Sequence, residues 1–268
     1  MVGSAFLQQV RQSKRHREIL DLLQERGTCE IAELARVFDV SSETIRRDVK
    51  PLTDMGRLVK MHGAVALADH ALEAPFERRM RENAAVKQAI AAVAAGHIEN
   101  GDSVMLDTGT TTSFLARELL KRQNLTVVTN SSDVARTLAT VNGNTVYMAG
   151  GELRGDNGAA FGSSAIEFVS RFKVRFAVIS ITAIDAEGGL MDMSLEEAEF
   201  ARMVLSCGRH RMVISDASKF GRLGLVEVCG FDRIDRLVTD QAPADDVLEA
   251  LAAADVVLET LPVESGPL

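Results

Sequence analysis

Residues 40–56, VSSETIRRDVKPLTDMG, carry apolar residues Ile45, Val49 and Leu52 at i, i+4 and i+7, the repeat of an amphipathic helix with one buried stripe. Gly56 closes that helix. Working towards the N-terminus, the sharp connection DVS precedes it. Before that, EIAELARVF gives a short helix whose inward face is Ile31, Leu34 and Ala35. Earlier still, SKRHREILDLLQERG places Ile19, Leu20 and Leu23 on one stripe, with Ser13 as a cap and Gly27 as the break. Two short helices and a third across a tight turn make a helix-turn-helix unit. On the C-terminal side, RLVKMHGAV alternates around His62-Gly63 and predicts a small hairpin, or wing.

Burying Ile45 and Val49 leaves Ser42, Thr44, Arg46, Arg47 and Lys50 to the outer surface. Arginine forks onto a guanine edge, while hydroxyls and lysine commonly hold the phosphate backbone. With Ser41 at the helix start and Lys60 and His62 on the wing, these are the candidate DNA-contacting residues. The charge distribution fits a local contact of that kind. Net charge is −8, yet residues 1–64 hold 11 Lys+Arg against 9 Asp+Glu. A mildly basic head therefore sits on an acidic body, although a solvated basic helix gives the same asymmetry.

Beyond the wing, residues 67–83 read as a linker containing Pro75, without a core period until the helix AAVKQAIAAVAAGHI, whose Val86, Ile90 and Val93 face inwards. Short apolar runs then alternate with helical segments: SVMLD with TTSFLARELLKR, LTVVT with SSDVARTLATV, NTVYMAG, FAVIS with LEEAEFARMVLSCG, RMVIS and RLVTD. That alternation predicts an α/β domain with a largely parallel sheet. The expected division is residues 10–66 for the helix-turn-helix, 67–83 for the linker and 84–262 for the α/β domain.

Open parallel sheets bind ligands at the C-terminal ends of their strands. There the chain carries Asp107, Thr108, Gly109, Thr110, Thr111 and Thr112, then Asn130 and Ser131, Gly150, Gly151 and Glu152, and Asp216 with Lys219. Hydroxyls and free N–H groups at a helix start suit phosphate, Gly109 lets the backbone approach a ligand, Asp107 accepts hydroxyl hydrogens, and Lys219 neutralises an anion. Each motif alone also reads as a capped turn or a surface lysine. Asp156, Asp185, Glu187, Asp192, Glu196 and Glu197 read as an acidic loop and a solvated helix start. His16, His62, His70, His97 and His210 form no metal-binding spacing, so neither metal nor cofactor is expected. No GxxxxGK[ST], GxGxxG or GxSxG occurs. Cys29, Cys207 and Cys229 are widely spaced, and the start lacks a signal-peptide pattern. No run of 18 apolar residues suggests a membrane span, so a cytoplasmic location is expected.

Residues 13–64, and most specifically VSSETIRRD at Val40–Asp48, closely resemble the DNA-binding head of the DeoR family of bacterial transcriptional regulators. The resemblance runs on through LDTGTT at 106–111, VTNS at 128–131, AGGELR at 149–154 and SDASKFGR at 215–222, covering nearly all of residues 14–240. It implies a winged helix-turn-helix followed by an α/β domain similar to ribose-5-phosphate isomerase in fold. It also implies a repressor of sugar, polyol or glycerol-phosphate use, released from DNA by a phosphorylated effector. By the same resemblance Asp107, Gly109, Thr110, Asn130 and Lys219 lead the effector site, with Thr108, Thr111, Ser131, Gly150, Gly151 and Asp185 around them. The expected partners are double-stranded operator DNA with an inverted repeat, a sugar or polyol phosphate, and further copies of the chain as a dimer or tetramer. A sugar-phosphate isomerase-like enzyme and an effector-independent DNA-binding regulator stand as the alternatives.

Some positions depart from the family pattern. Pro51 is expected to kink or end the recognition helix near Lys50. The wing reads MHGA, without a second glycine beside Gly63. Arg175, together with Thr182-Ala183, is expected near the effector pocket.

Overall fold

The computed structural model describes residues 14–23, 28–55, 57–61, 64–67 and 76–262. The chain divides into two compact units, Met1–Ala74 and Pro75–Leu268.

In the first unit a helix over residues 14–23 (α1) precedes a short strand, β1 (Thr28–Glu30). Next come α2 (Ile31–Val37), α3 (Ser42–Asp54) and the strands β2 (Leu58–Met61) and β3 (Ala64–Leu67). The turn between α2 and α3 is sharp because Asp39 takes a left-handed conformation (φ 49°), which aspartate tolerates better than most residues. The amides of Phe38 and Val40 meanwhile bond back to Leu34 and Ala35. Ser41 then starts α3, its hydroxyl accepting the N–H of Thr44 at 3.2 Å. Ile19, Leu23, Leu34, Ile45, Val49, Leu52 and Leu58 form one core.

The expected wing is present as an antiparallel pair, Leu58↔Leu67 to Met61↔Ala64, and β1 adds a third strand through Cys29↔Val65. His62 and Gly63 lie outside the described residues. The expectation that Pro51 ends the recognition helix near Lys50 is corrected: α3 runs through it to Asp54. Proline removes the amide that would bond the carbonyl of Arg47. Arg47 sits on the exposed face, where solvent can take that bond, so the helix survives.

The second unit begins with α4 (Phe76–Arg81), a six-residue helix inside the stretch read as linker, and α5 (Ala84–Gly96). Seven of its strands form the main sheet: β4 (Ser103–Leu106), β5 (Thr126–Thr129), β6 (Thr145–Met148), β7 (Val174–Ile179), β10 (Gly208–Ile214), β12 (Arg236–Thr239) and β13 (Val257–Thr260). They lie in the order β13-β12-β10-β7-β4-β5-β6, and every neighbouring pair is parallel. Alternation along the strands sends side chains to two separate cores. Val104, Leu106, Val127 and Phe176 pack with α5, α6 (Thr110–Glu118) and α7 (Ser132–Leu138). Met105, Val128, Ala177 and Ile179 pack with α8 (Ser163–Ser170), α9 (Leu195–Cys207) and α10 (Asp245–Ala253) on the other face. Burial on both faces is why these strands read as unbroken apolar runs.

A small antiparallel sheet was not legible in the sequence: β8 (Ala183–Asp185), β9 (Gly189–Asp192) and β11 (Val226–Cys229), in the order β11-β9-β8. The presumed acidic loop is this hairpin. Gly189 is required there, with φ 68° and a would-be Cβ 2.7 Å from the carbonyl oxygen of Cys229. Arg175 is also corrected. It lies at the N-terminal end of β7, away from the strand ends that carry the candidate pocket, and pairs with buried Asp102 at 2.7 Å.

Candidate functional site

On the recognition helix α3, Arg46, Arg47 and Lys50 are exposed, whereas Ser42 and Thr44 are half-buried at the edges of that face. Ser41 and Thr44 bond one another through their hydroxyls at 2.9 Å. Arg46 pairs with Glu43 at 3.5 Å and Lys50 with Asp54 at 2.9 Å. Exposed pairs of this spacing are worth only about 0.3–0.5 kcal/mol, so a phosphate or a base edge can displace them. Lys60 is exposed on β2. His62 is among the residues not described.

In the second unit, parallel pairing puts the C-terminal ends of all seven strands on one edge. After β4 the chain has built β5 and β6 on one side, and β7 returns to the other. The topological switch point therefore lies between β4 and β7, where the two connections diverge and leave a crevice. Asp107 and Ser180 meet at that point. The Ser180 N–H donates to both carboxylate oxygens of Asp107, at 3.2 and 3.1 Å. Asp107 is only 6% exposed, and this burial pushes its carboxyl well above the usual carboxylate range. The bonds from Ser180 and Thr112 oppose the shift, while the charges of Asp192 and Glu197 add to it.

Gly109 follows, and Thr112 donates its hydroxyl to the carbonyls of Asp107 and Gly109 at 3.2 and 3.1 Å, closing the turn. Thr110 and Thr111 are buried in the first turn of α6, whose N–H groups open onto this edge. Among the described residues, the buried hydroxyl of Thr108 and the side-chain oxygen of Asn130 have no hydrogen-bond partner. Leaving such a group unmatched costs about 1–3 kcal/mol.

The other sequence candidates separate into those tied into the fold and those at the edge. The Asn130 amide donates to the carbonyl of Ala160 at 3.0 Å, which ties the end of β5 to the next loop. Ser131 caps α7, accepting the Val134 N–H at 3.3 Å. Gly150 and Gly151 are exposed after β6, and Gly151 takes a φ of 145° that a side chain would resist. The carboxylate of Asp185 accepts the N–H groups of Glu187 and Gly188, at 3.0 and 2.8 Å, and so closes the β8–β9 turn. Asp216 and Lys219 occupy the short turn after β10, where Asp216 accepts the Ser218 N–H at 3.1 Å.

Two residues at this edge escaped sequence reasoning. Ser180 is one. The other is Lys87, which is only 5% exposed and donates to the carbonyl of Arg79 at 2.6 Å. Burial pulls its ammonium below the ordinary lysine range, with Asp216 opposing and Lys219 and Arg79 reinforcing. Burial acts to raise Asp216, but the Ser218 bond, Lys219 and Lys87 outweigh it and hold the carboxylate low. Asn83 completes the group, its amide donating to Asp216 at 3.3 Å. The sequence held a signal for Lys87, since residues 87, 90, 91 and 94 follow helical spacing with buried Ile90, Ala91 and Ala94. The edge thus has an acidic, hydroxyl-accepting part after β4. A cationic part follows β10 two strands away, a separation of about 10 Å at ordinary strand spacing.

A DeoR-like helix-turn-helix domain model matches residues 15–71, and a DeoR C terminal sensor domain model matches residues 82–241. The chain is 33% identical over 250 residues to the glycerol-3-phosphate regulon repressor of Escherichia coli K12, covering 93% of this chain and 99% of that one. It is 34% identical over 229 residues to the HTH-type transcriptional repressor CsqR of the same organism, covering 85% and 88%. Among solved structures, ribose 5-phosphate isomerase A of Methanocaldococcus jannaschii overlaps with 52% of this chain and 55% of its own, at 16% identity and a TM-score of 0.39. No helix among the described residues is long and apolar enough to cross a membrane.

Proposed function

Because the chain belongs to the DeoR family of bacterial transcriptional regulators, we propose that it represses an operon for sugar, polyol or glycerol-phosphate catabolism and leaves its operator when a phosphorylated effector binds. The observation that supports this best is the pairing of opposite chemistries along one sheet edge. Asp107, with the unmatched polar atoms of Thr108 and Asn130, suits sugar hydroxyls. Lys87 and Lys219 near Asp216, and the free amides at the start of α6, suit a phosphate. Asp185 and Ser131 contribute by holding turns, and Gly150 and Gly151 by admitting the ligand to backbone.

Arg46 and Arg47 read the major groove, Ser42 and Thr44 flank them, and Lys50 on the helix and Lys60 on the wing reach backbone phosphate. Two heads of a homo-oligomer meet an inverted repeat across successive groove faces. Release requires that the effector bind the DNA-free arrangement more tightly, because equal affinity for both shifts nothing.

The test is fluorescence anisotropy of the full chain on duplexes from its own flanking intergenic regions, titrated with a panel of sugar and polyol phosphates at fixed salt. Sequence-dependent binding released by one compound is the expected result. Specific binding that no phosphorylated compound relieves would leave an effector-independent regulator, and no specific binding at all would remove the repressor.

A further inference from the structure

The recognition helix carries a charge where its apolar stripe should continue. Asp48 is 1% exposed and shares the buried face of α3 with Ile45, Val49 and Leu52. From α1, Arg15 Nε donates to its Oδ2 at 2.5 Å, and His16 Nε2 stands 3.8 Å from its Oδ1. Desolvating a carboxylate and a guanidinium is costly, and an apolar pair of similar volume often serves stability as well or better. Stability alone therefore does not account for the pair.

What an apolar stripe cannot provide is direction. Packing of Ile45, Val49 and Leu52 on α1 and α2 resists rotation of α3 by shape, but the hydrophobic term is non-directional. A core of suitable volume can repack around a slightly turned helix and lose uniqueness before stability. A hydrogen-bonded ion pair is directional. At about 100° per residue, Asp48 lies at one margin of the buried stripe, and Arg47 projects about 100° from it onto the exposed face. A rotation of about 20° carries a side-chain tip ~6 Å from the axis through about 2 Å, enough to break a bidentate contact with a base edge.

We propose that Asp48, held by Arg15, is a positioning residue for DNA reading: the pair sets the rotation of the recognition helix and so the aim of Arg46 and Arg47. The inference rests on the DNA-binding reading and adds to it a residue that touches no DNA. Such a role separates sequence-specific from non-specific affinity. A misaimed arginine still meets phosphate but no longer its base.

The experiment uses the full chain and two duplexes of equal length. One is the tightest binder selected from a random-sequence library by the unmodified protein, and the other is a random-sequence duplex. The variant Arg15→Met/Asp48→Leu replaces the pair by apolar side chains, with folding checked by circular dichroism and thermal melting. The expected result is a folded head with random-duplex affinity within about twofold of the unmodified protein and a selected-to-random ratio reduced about tenfold or more. Asp48→Asn keeps the shape and one bond to Arg15, and is expected to fall between. An unchanged ratio in either folded variant overturns the proposal. So does failure of both variants to fold, which would make the pair a requirement for folding instead. If the unmodified protein selects no sequence, the DNA-reading premise falls and takes the proposal with it, an outcome distinct from the other two.

Discussion

Gly109 is extended, with φ −178°, a conformation open to any residue, so its lack of a side chain answers to a neighbour and not to its backbone. A Cβ there would stand 1.9 Å from Ser180 Oγ and 3.0 Å from Ser180 Cβ. Gly109→Ala is expected to destabilise the second unit by about 1–3 kcal/mol and to weaken effector release while leaving DNA affinity intact. Adding Ser180→Ala removes the worse of the two clashes. A denaturation cycle over the two single variants and the double should show a favourable coupling of about 0.5 kcal/mol or more, and strict additivity would contradict the contact. Asp107, beside them, titrates in the direction set by burial. Its folded-state affinity for protons exceeds the unfolded one, so its contribution to stability is complete below the unfolded carboxylate range and is lost as pH rises through the raised folded value. Asp107→Asn should therefore raise the melting temperature relative to the unmodified chain at pH 8, and the gain should vanish near pH 4. A gain that is constant with pH would mean that Asp107 does not titrate in this way.

Among the elements, α3 shows how a local rule yields to its surroundings. Pro51 ought to stop the helix, yet Leu52 is buried against the head and Thr53 returns a hydroxyl bond to the carbonyl of Val49 at 2.9 Å. The last turn is held by the tertiary packing of Leu52 and by this local hydroxyl bond despite the missing amide. Pro51→Ala restores that amide and is expected to stabilise the first unit by about 1–2 kcal/mol, read as a shift in its own unfolding transition. A neutral or destabilising outcome would show that the proline ring contributes packing worth at least as much. The same balance governs what could be read from sequence. Runs such as SVML and TVVT announce themselves because both faces are buried, and the Ile45–Leu52 stripe does so by its spacing. The β8–β9 hairpin hides because its strands are short and their ends are acidic: Asp185 bonds its own turn, and Asp192 accepts from Thr182 at 3.2 Å. Lys87 and Asp48 hide for a related reason. Charged residues are ordinarily assigned to solvent even where, as at Lys87 and Asp48, they fall at the spacing of a buried stripe, and the opposite charge that offsets their burial, Asp216 or Arg15, is distant in sequence.

For the molecule as a whole, charge and chain order matter more than any contact. The surplus of basic residues in 1–64 is small, and the rest of the chain carries 19 Lys+Arg against 29 Asp+Glu, so only a few cations are available to meet a polyanion. Lys50→Ala and Lys60→Ala are each expected to reduce the magnitude of the slope of log affinity against log salt by about 1 and to weaken all duplexes alike, in anisotropy titrations at several salt concentrations. A change of sequence preference without a change of slope would place either lysine on a base. The sheet order has a further consequence, in time. β4 is central, but its neighbour β7 is encoded about seventy residues later, after β5 and β6. During synthesis the head emerges complete while β4 still presents an open edge. At ordinary elongation rates of 5–20 residues per second, about 5–25 s separate the end of the wing from the arrival of β7. For that interval each nascent chain carries a DNA reader whose sensor is unfinished and whose strand β4, buried in the finished sheet, still has an unpaired edge.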